Sequence, residues 1–148
     1  MAEILENTNP YLSISVVGAG SWGTALACAA AQAGRSVTLW AREPDVIDQI
    51  KNTGENGPFL PGVRLPKSIA ATGDITAAAK ADALLIVVPA QHLRASLRSI
   101  KPHVANGTPL ALCAKGIERA SGKLLTEVLT EEIPDCEAAI LSGPSFAK

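Results

Sequence analysis

The fold is decided by the stretch Gly18-Ala19-Gly20-Ser21-Trp22-Gly23. This stretch follows a short β-branched run, Ser13–Val17, and leads into an Ala-rich segment that predicts a helix over Trp22–Ala33, ended by Gly34. Glycines spaced as G-x-G-x-x-G between a strand and a helix are typical of a dinucleotide-binding turn. The first glycine permits the tight turn, the second lets the backbone approach a pyrophosphate, and the third lets helix and strand pack closely. Without that context, the same spacing is only a glycine-rich turn.

Strand and helix patterns alternate along the rest of the chain. Further strands are predicted at Ser36–Trp40, Ser68–Thr72, Ala83–Val88, Leu110–Ala114 and Ala138–Leu141. Further helices are predicted to begin at Arg42-Glu43-Pro44-Asp45, to run from an Asp74 cap through Lys80, and to span Gln91–Ile100 and Ser121–Glu132. Residues 52–67 hold three glycines and three prolines and are expected to be irregular. The pattern predicts an α/β domain of the Rossmann type over residues 13–148, after a lead-in at 1–12. Its sheet is doubly wound and mainly parallel, with helices on both faces.

Charge and cysteine content limit the partners. With 13 Lys and Arg against 14 Asp and Glu, the chain has no broad positive field for nucleic acid, so we expect no nucleic-acid partner. No apolar run is long enough to span a membrane, and no secretory signal is evident, so we predict a cytoplasmic domain. Cys28, Cys113 and Cys136 show no metal-ligand spacing and are expected to be reduced, and we expect no metal site.

The end of the second predicted strand bears on the choice of cofactor. An NAD site usually has an acidic residue about 20 residues after the first glycine, where it binds the adenosine ribose. Here the strand ends in Trp40-Ala41-Arg42, and Arg42 favours a 2′-phosphate, so we expect a preference for NADPH. Glu43 leaves the ribose interaction open, and a solvated Arg42 in a βα turn is the simpler alternative.

Two further turns lie at the predicted ligand edge of the sheet. Lys115 ends the fifth strand beside Gly116, where an ammonium group can bind a substrate phosphate or hydroxyl; an ordinary surface lysine is the alternative. Ser142-Gly143-Pro144-Ser145-Phe146-Ala147 offers backbone and hydroxyl donors at a turn that would open another helix. His92 and His103 are poor catalytic candidates, because His92 has no evident carboxylate partner and His103, between Pro102 and Val104, is expected to be solvated.

Taken together, these segments resemble the N-terminal domain of bacterial-type NAD(P)-dependent glycerol-3-phosphate dehydrogenase. The matching motifs, in the family's order, are Val17-Gly18-Ala19-Gly20-Ser21-Trp22-Gly23-Thr24-Ala25-Leu26-Ala27, Val37-Thr38-Leu39-Trp40-Ala41-Arg42, Phe59-Leu60-Pro61-Gly62, Val87-Val88-Pro89, Lys115-Gly116-Ile117 and Ser142-Gly143-Pro144-Ser145-Phe146-Ala147-Lys148. One local departure is Cys113-Ala114, where relatives often have small or hydroxylated residues.

The resemblance implies hydride transfer between NAD(P)H and dihydroxyacetone phosphate, giving sn-glycerol 3-phosphate for phospholipid synthesis. It assigns cofactor contacts, beside Gly18, Gly20 and Gly23, to Ser21, Trp22, Arg42, Lys115 and Ala147, and substrate contacts to Lys115, Gly143 and Ser145. It implies that the catalytic lysine lies in a helical C-terminal domain beyond Lys148. We therefore expect that domain to be absent from this chain and the chain to bind cofactor without turning over substrate.

Three other expectations stay open. The partner is expected to be a small-molecule substrate, with a homodimer as the candidate assembly of the full-length form. Another two-domain dehydrogenase, such as one acting on a hydroxy acid, has the same cofactor fold; the joint presence of Lys115-Gly116 and Gly143-Pro144-Ser145-Phe146 argues against it. A non-enzymatic nucleotide-sensing module is the alternative from a different class.

Overall fold

The computed structural model describes residues 11–143. Eight strands lie in this part of the chain: β1 Ser13–Val17, β2 Ser36–Trp40, β3 Glu55–Asn56, β4 Leu60–Arg64, β5 Ile69–Thr72, β6 Ala83–Ile86, β7 Pro109–Leu112 and β8 Glu137–Ile140. The five α-helices described are α1 Ser21–Gln32, α2 Pro44–Thr53, α3 Ile75–Ala78, α4 Leu93–Ile100 and α5 Leu125–Glu132. Short 3₁₀ turns, Ala90–His92 and Lys101–His103, flank α4.

The main sheet has six strands in the order β5-β2-β1-β6-β7-β8. Every neighbouring pair in it is parallel. The chain starts at the centre with β1, builds outward through β2 and β5, and then returns to the other side of β1 with β6. Val17 is therefore in register with Trp40 on one side and with Ile86 on the other. This order confirms the predicted doubly wound topology, and it places a crevice at the carboxyl ends of β1 and β6, where the strand order reverses.

Apolar residues cover both faces of this sheet. Val16 and Val17 are both fully buried yet belong to different core clusters, because successive strand residues point to opposite faces. One cluster contains residues of α1 and α2, and the other contains residues of α4 and α5. Leu93, Leu97 and Ile100 of α4 have no exposed surface, so this face of the helix belongs to the core. The prediction of helices on both faces is thus confirmed.

The segment 52–67 is not irregular, so that prediction was wrong. β3 and β4 pair antiparallel as a small separate sheet, with Glu55 opposite Arg64 and Asn56 opposite Leu60. β3 has only two residues, and β4 contains Pro61 and Gly62 and is almost entirely exposed. Neither strand could therefore show the alternation of apolar and polar residues by which a strand is recognised.

Two helix starts differ from the prediction. The predicted helix from Ser121 begins four residues later, at Leu125, because Gly122 has a φ of 71° and the Glu127 carboxylate accepts a hydrogen bond from the Leu124 N–H at 2.8 Å. The helix predicted from Gln91 begins as the 3₁₀ turn and becomes α-helical at Leu93. The Asp74 cap is confirmed, although α3 ends at Ala78. The other bounds agree to within two residues.

No helix within residues 11–143 combines the length and the apolar character needed to cross a bilayer.

Candidate dinucleotide site

The turn after β1 has the shape that its glycines require. Gly18 has a φ of 120°, and a Cβ on it would lie 2.7 Å from the Val87 carbonyl oxygen. A Cβ on Gly23 would lie 1.8 Å from the carbonyl oxygen of Gly18, where no side chain fits. A Cβ on Gly20, in contrast, would meet no protein atom within 4 Å. Packing thus explains the first and third glycines, whereas the second leaves open space above the backbone.

That space lies at the amino end of α1. Gly20 is the N-cap residue of the helix and supplies no side-chain acceptor for the N–H groups of the first turn. The first turn contains no acidic residue. Free N–H groups and the positive end of the helix dipole favour an anion at such a position. The residues therefore fit a pyrophosphate held above Gly20.

A cleft of about 290 Å³ opens beside this turn. Four segments at the carboxyl ends of the strands line it: the glycine turn, the end of β2, the β3–β4 hairpin and the segment after β6. The lining residues are Gly18, Ala19, Gly20, Trp40, Arg42, Glu43, Phe59, Val87, Val88, Pro89, His92 and Ser96. A larger hollow of about 510 Å³ beside Asp82 lies at the opposite edge of the sheet, and it contains none of the predicted site residues. The smaller cleft is thus the one that lies where the strand topology predicts a ligand and that is lined by residues of the sequence motifs.

Arg42 and Glu43 both line this cleft. Arg42 is exposed, directly after β2 and its buried neighbour Ala41. The cleft extends from Arg42 past Trp40 toward Gly73. The Trp40 indole N–H donates to the Gly73 carbonyl at 3.1 Å, which fixes the indole ring at this wall. A cationic side chain and an acidic side chain therefore stand together on the wall of the cleft, directly after β2.

Ser21 and Trp22 begin α1, and both are exposed. The Ser21 hydroxyl donates to the carbonyl oxygen of Phe59 in the hairpin. The Trp22 side chain is 49% exposed, which is a large free surface for an aromatic residue. The sequence alone predicts no role for Phe59. This residue belongs to Phe59-Leu60-Pro61-Gly62, one of the motifs by which the chain resembles the family.

Lys115 lies beyond the carboxyl end of β7, and its side chain is exposed. It is not among the residues that line the cleft. The next residue, Gly116, has a φ of 126°, and a Cβ on it would lie 3.5 Å from the Ala90 Cβ. The structure therefore brings Lys115 to the predicted edge of the sheet, next to the segment that follows β6.

One glutamine joins these two segments. Gln91 donates from Nε2 to the Ile117 carbonyl at 2.9 Å and accepts at Oε1 from the Arg119 N–H at 3.0 Å. Both ends of this amide are thus bound to the segment that follows Lys115. The sequence does not predict this contact, because it joins residues more than 25 positions apart and no local pattern signals it.

A cluster of charged side chains on α4, α5 and the segment after Lys115 holds the loop that carries Lys115 in place. Arg94 forms two hydrogen bonds to Glu118, from Nε at 2.9 Å and from Nη2 at 2.8 Å, and a third to Glu132 at 2.6 Å. Arg98 donates to Glu132 and Lys123 to Glu131, which also accepts from Arg94. Arg94 lowers the pKa of the Glu118 carboxyl to about 2, chiefly through its hydrogen bonds, and the carboxylates in turn raise the pKa of Arg94. This cluster ties α4 and α5 to the loop that carries Lys115.

Cys113 precedes that loop and is buried. Burial raises the pKa of its thiol to about 11, so the sulfur is uncharged at neutral pH. The departure Cys113-Ala114 therefore adds no charge beside Lys115.

Gly143 follows β8 and is exposed, and a Cβ on it would meet no atom within 4 Å. It lies after the outermost strand, beyond β7, rather than at the cleft. Ser145 and Ala147, which the resemblance assigns to substrate and cofactor, lie outside the described residues.

The histidines lie in different surroundings. His92 lines the cleft, at the end of the 3₁₀ turn before α4, whereas His103 is exposed at the far end of that helix. Within residues 11–143, no three His, Cys, Asp or Glu side chains gather in the manner of a metal site. Glu43 and His92 both line the cleft.

Comparisons with known proteins agree with this geometry. Residues 13–148 match the family model described as NAD-dependent glycerol-3-phosphate dehydrogenase N-terminus. A glycerol-3-phosphate dehydrogenase (NAD(P)+) of Parvibaculum lavamentivorans is 57% identical over 140 residues, which are 95% of this chain and 42% of the relative. The crystal structure of glycerol-3-phosphate dehydrogenase from Coxiella burnetii superposes with a TM-score of 0.85 at 36% identity, over 92% of this chain and 42% of that one.

A more distant structure has the same fold. The glycerol-3-phosphate dehydrogenase of Saccharomyces cerevisiae has a TM-score of 0.75 at 27% identity, over 87% of this chain and 41% of that one. This chain thus spans about 42% of the length of the curated relative from Parvibaculum and of the Coxiella structure, and in the family model it corresponds to the amino-terminal part.

Proposed function

We propose a function from one premise: the chain belongs to the family of NAD-dependent glycerol-3-phosphate dehydrogenase N-terminal segments. It binds NAD(P)H in the cleft beside the glycine turn and forms the cofactor half of the active site. When bound, the nicotinamide supplies the hydride that reduces dihydroxyacetone phosphate to sn-glycerol 3-phosphate, or accepts it in the reverse direction. The chain's own residues hold and orient the cofactor.

The observation that carries this proposal is the difference between the three glycines. Gly18 and Gly23 are required by protein packing, but the space above Gly20 is filled by no protein atom. Open space at the uncapped amino end of a helix, at the point where the strand order reverses, is the place where a pyrophosphate binds in this fold.

Arg42 supports a preference for NADPH over NADH. Its guanidinium group is exposed at the cleft and can form charge-assisted hydrogen bonds to a 2′-phosphate, whereas Glu43 beside it can accept from the ribose hydroxyls. We propose that Arg42 outweighs Glu43, because a guanidinium paired with a phosphate dianion brings two opposite charges together, whereas the Glu43 carboxylate would bind neutral hydroxyls.

We further propose that Lys115 contacts both cofactor and substrate, that Gly143 and Ser145 contact substrate, and that Ala147 contacts cofactor. The exposure of Lys115 at the carboxyl edge of the sheet supports the first of these assignments. Following the family resemblance, we assign the proton-transferring lysine to a helical domain after Lys148. On this proposal the 148-residue chain binds cofactor and does not turn over substrate.

The wider role follows the same resemblance. We propose that the full-length form supplies glycerol 3-phosphate to phospholipid synthesis in the cytoplasm and that it can form a homodimer. Reduced cysteines suit that compartment, and Cys28, Cys113 and Cys136 are all unpaired thiols.

Isothermal titration of the 148-residue chain with NADPH and with NADH tests the cofactor proposal. We expect both to bind with one site per chain, and NADPH to bind more tightly. A parallel assay with dihydroxyacetone phosphate is expected to show no consumption of NADPH above the rate without protein. Absence of binding by either nucleotide would contradict the proposed function, and equal affinities would contradict the role given to Arg42.

A further inference from the structure

We propose that Asn56 is a positioning residue for the dinucleotide turn and that it holds Gly18–Gly23 in the shape that accepts a pyrophosphate. This inference rests on the proposed cofactor binding. It concerns the β3–β4 hairpin, whose side chains the sequence patterns did not connect with the glycine turn.

Asn56 lies at the end of β3 and has no exposed surface. Its side-chain nitrogen Nδ2 donates to the Ala19 carbonyl oxygen at 2.8 Å and to Thr24 Oγ1 at 2.8 Å. Ala19 lies between the first two glycines of the turn, and Thr24 directly follows the third. A single amide group therefore binds both ends of the turn.

The Thr24 side chain completes a closed set of contacts. It is fully buried, and its hydroxyl donates to the same Ala19 carbonyl at 3.4 Å. Asn56 Oδ1 has no hydrogen-bond partner among the described residues, so the two donor bonds of Nδ2 are what orient the amide. Removing the amide would leave the Ala19 carbonyl with a single long hydrogen bond in a buried position. A buried acceptor in that state is costly, and the peptide can turn to find another donor.

Rotation of that peptide would change the backbone donors at the proposed pyrophosphate site. The peptide group of Ala19 is joined to Gly20, whose backbone borders the open space at the amino end of α1. A changed orientation at Ala19 therefore alters where the next N–H groups point. Misplacement of donors by about 1 Å is enough to weaken a preorganised site.

The hairpin contacts the turn at a second point. The Ser21 hydroxyl donates to the Phe59 carbonyl, and the Phe59 N–H donates to the Asn56 carbonyl at 3.2 Å. Phe59 lines the cleft, and its side chain is 41% exposed. The segment that fixes the glycine turn thus also carries one aromatic wall of the cleft.

The test uses the 148-residue chain and the substitution Asn56→Ala, titrated with NADPH and NADH by calorimetry. We expect the dissociation constants for both nucleotides to rise by about tenfold and by equal factors, because both carry the same pyrophosphate; this corresponds to about 1.4 kcal/mol. The number of sites per folded chain should stay at the wild-type value. Hydrogen exchange should accelerate in residues 18–24 and not in α4.

A purely structural role would give a different result. Loss of folded protein lowers the number of binding sites per chain but leaves the dissociation constant of the remaining folded molecules unchanged, and that outcome would overturn the inference. Unequal factors for NADPH and NADH would overturn it too. Asn52→Ala is the matched control, since Asn52 is an exposed asparagine on the neighbouring α2, and it should change neither dissociation constant by more than about twofold.

Thr24→Ala is the second variant if Asn56→Ala fails to fold. It keeps the bond from Asn56 to Ala19 and removes the Thr24 hydroxyl, which accepts from Asn56 and donates weakly to Ala19, so we expect a smaller rise in both dissociation constants, again by equal factors. Unchanged affinities in this variant would contradict the inference. Wild-type protein that binds neither nucleotide would instead contradict the proposed function on which the inference rests.

Discussion

A Cβ atom on Gly18 would lie 2.7 Å from the carbonyl oxygen of Val87. Gly18 follows β1 and Val87 follows β6, the two adjacent strands between which the order of the sheet reverses. The turn at the crevice is therefore packed directly on the neighbouring segment, without space for even a methyl group. At Gly20, in contrast, a Cβ would meet no atom within 4 Å, and the backbone there borders the open cleft.

Substitutions at two glycines of the turn should separate folding from binding. In Gly23→Ala the new methyl would clash with the Gly18 carbonyl, so we expect the free energy of unfolding to fall by about 3 kcal/mol. In Gly20→Ala the methyl meets no protein atom, and only the lower preference for alanine at an N-cap opposes it, so the free energy of unfolding should fall by no more than about 1 kcal/mol. Its methyl would occupy the space proposed for the pyrophosphate, so NADPH affinity should fall at least tenfold. Urea unfolding and calorimetry measure the two effects; equal stabilities for the two variants would contradict the prediction.

Arg42→Ala should weaken NADPH binding selectively. Loss of a charge-assisted bond to a phosphate is worth about 1.5–3 kcal/mol, which predicts a 10- to 100-fold rise in the NADPH dissociation constant. The NADH value should stay within about twofold. Arg35→Ala is the control, because Arg35 precedes β2 and Arg42 follows it, so the two arginines lie at opposite ends of one strand. Similar losses in the two variants would indicate a general effect of charge instead of contact with the 2′-phosphate.

The free energy of unfolding should fall in acid because Glu118 becomes protonated. Arg94 lowers the folded-state pKa of this carboxyl to about 2 from an ordinary value of 4.5, so the ionised form favours the folded state. The contribution is complete above pH 4.5 and is lost as the pH falls from about 4.5 to about 2, where Glu118 becomes protonated. Thermal unfolding across this range should show a shallower pH dependence for Glu118→Gln than for the wild type. Glu137→Gln, on the exposed β8, serves as the comparison, and parallel curves for wild type and Glu118→Gln would contradict this account.

Leu97→Ala should test the core between α4 and the sheet. Leu97 is fully buried, and a leucine truncated in a packed core costs about 2–5 kcal/mol of unfolding free energy. Ile140→Ala, where the side chain is 66% exposed, should cost less than about 1 kcal/mol. Chemical denaturation monitored by circular dichroism gives both values. A cost below about 1 kcal/mol for Leu97→Ala would mean that the helix is not packed as described.

The sequence predicted the central part of the fold well, for local reasons. β1, β2 and β6 are short runs of apolar or β-branched residues that end at glycine, at an exposed turn or at proline, and buried parallel strands have that pattern. Gly18, Gly20 and Gly23 carry backbone requirements that are visible as a spacing. The order of strands followed from the alternation with helices and from the handedness of the crossovers.

The features that the sequence did not predict depend on long-range contacts. Asn56 acts on Ala19, 37 residues earlier, and Gln91 acts on Ile117, 26 residues later. No period or local motif encodes such pairs. The late start of α5 has a local cause instead, because Gly122 has a φ of 71° and the Ser121 side chain binds Glu118 rather than the first turn of a helix. The segment 52–67 is rich in glycine and proline, and its short strands are fixed by the turn on which they pack.

The hairpin contacts also restrict the number of residues between Asn56 and Phe59. Asn56 and Phe59 are three residues apart, and each is bonded to a different residue of one tight turn, Ala19 and Ser21. Each added residue lengthens an extended chain by about 3.5 Å, which exceeds the tolerance of a hydrogen bond. An insertion between Asn56 and Phe59 would therefore break one of the two contacts, whereas a substitution at Pro58, which is exposed, would leave both in place. Between Asn56 and Phe59, the number of residues constrains the protein more tightly than their identity.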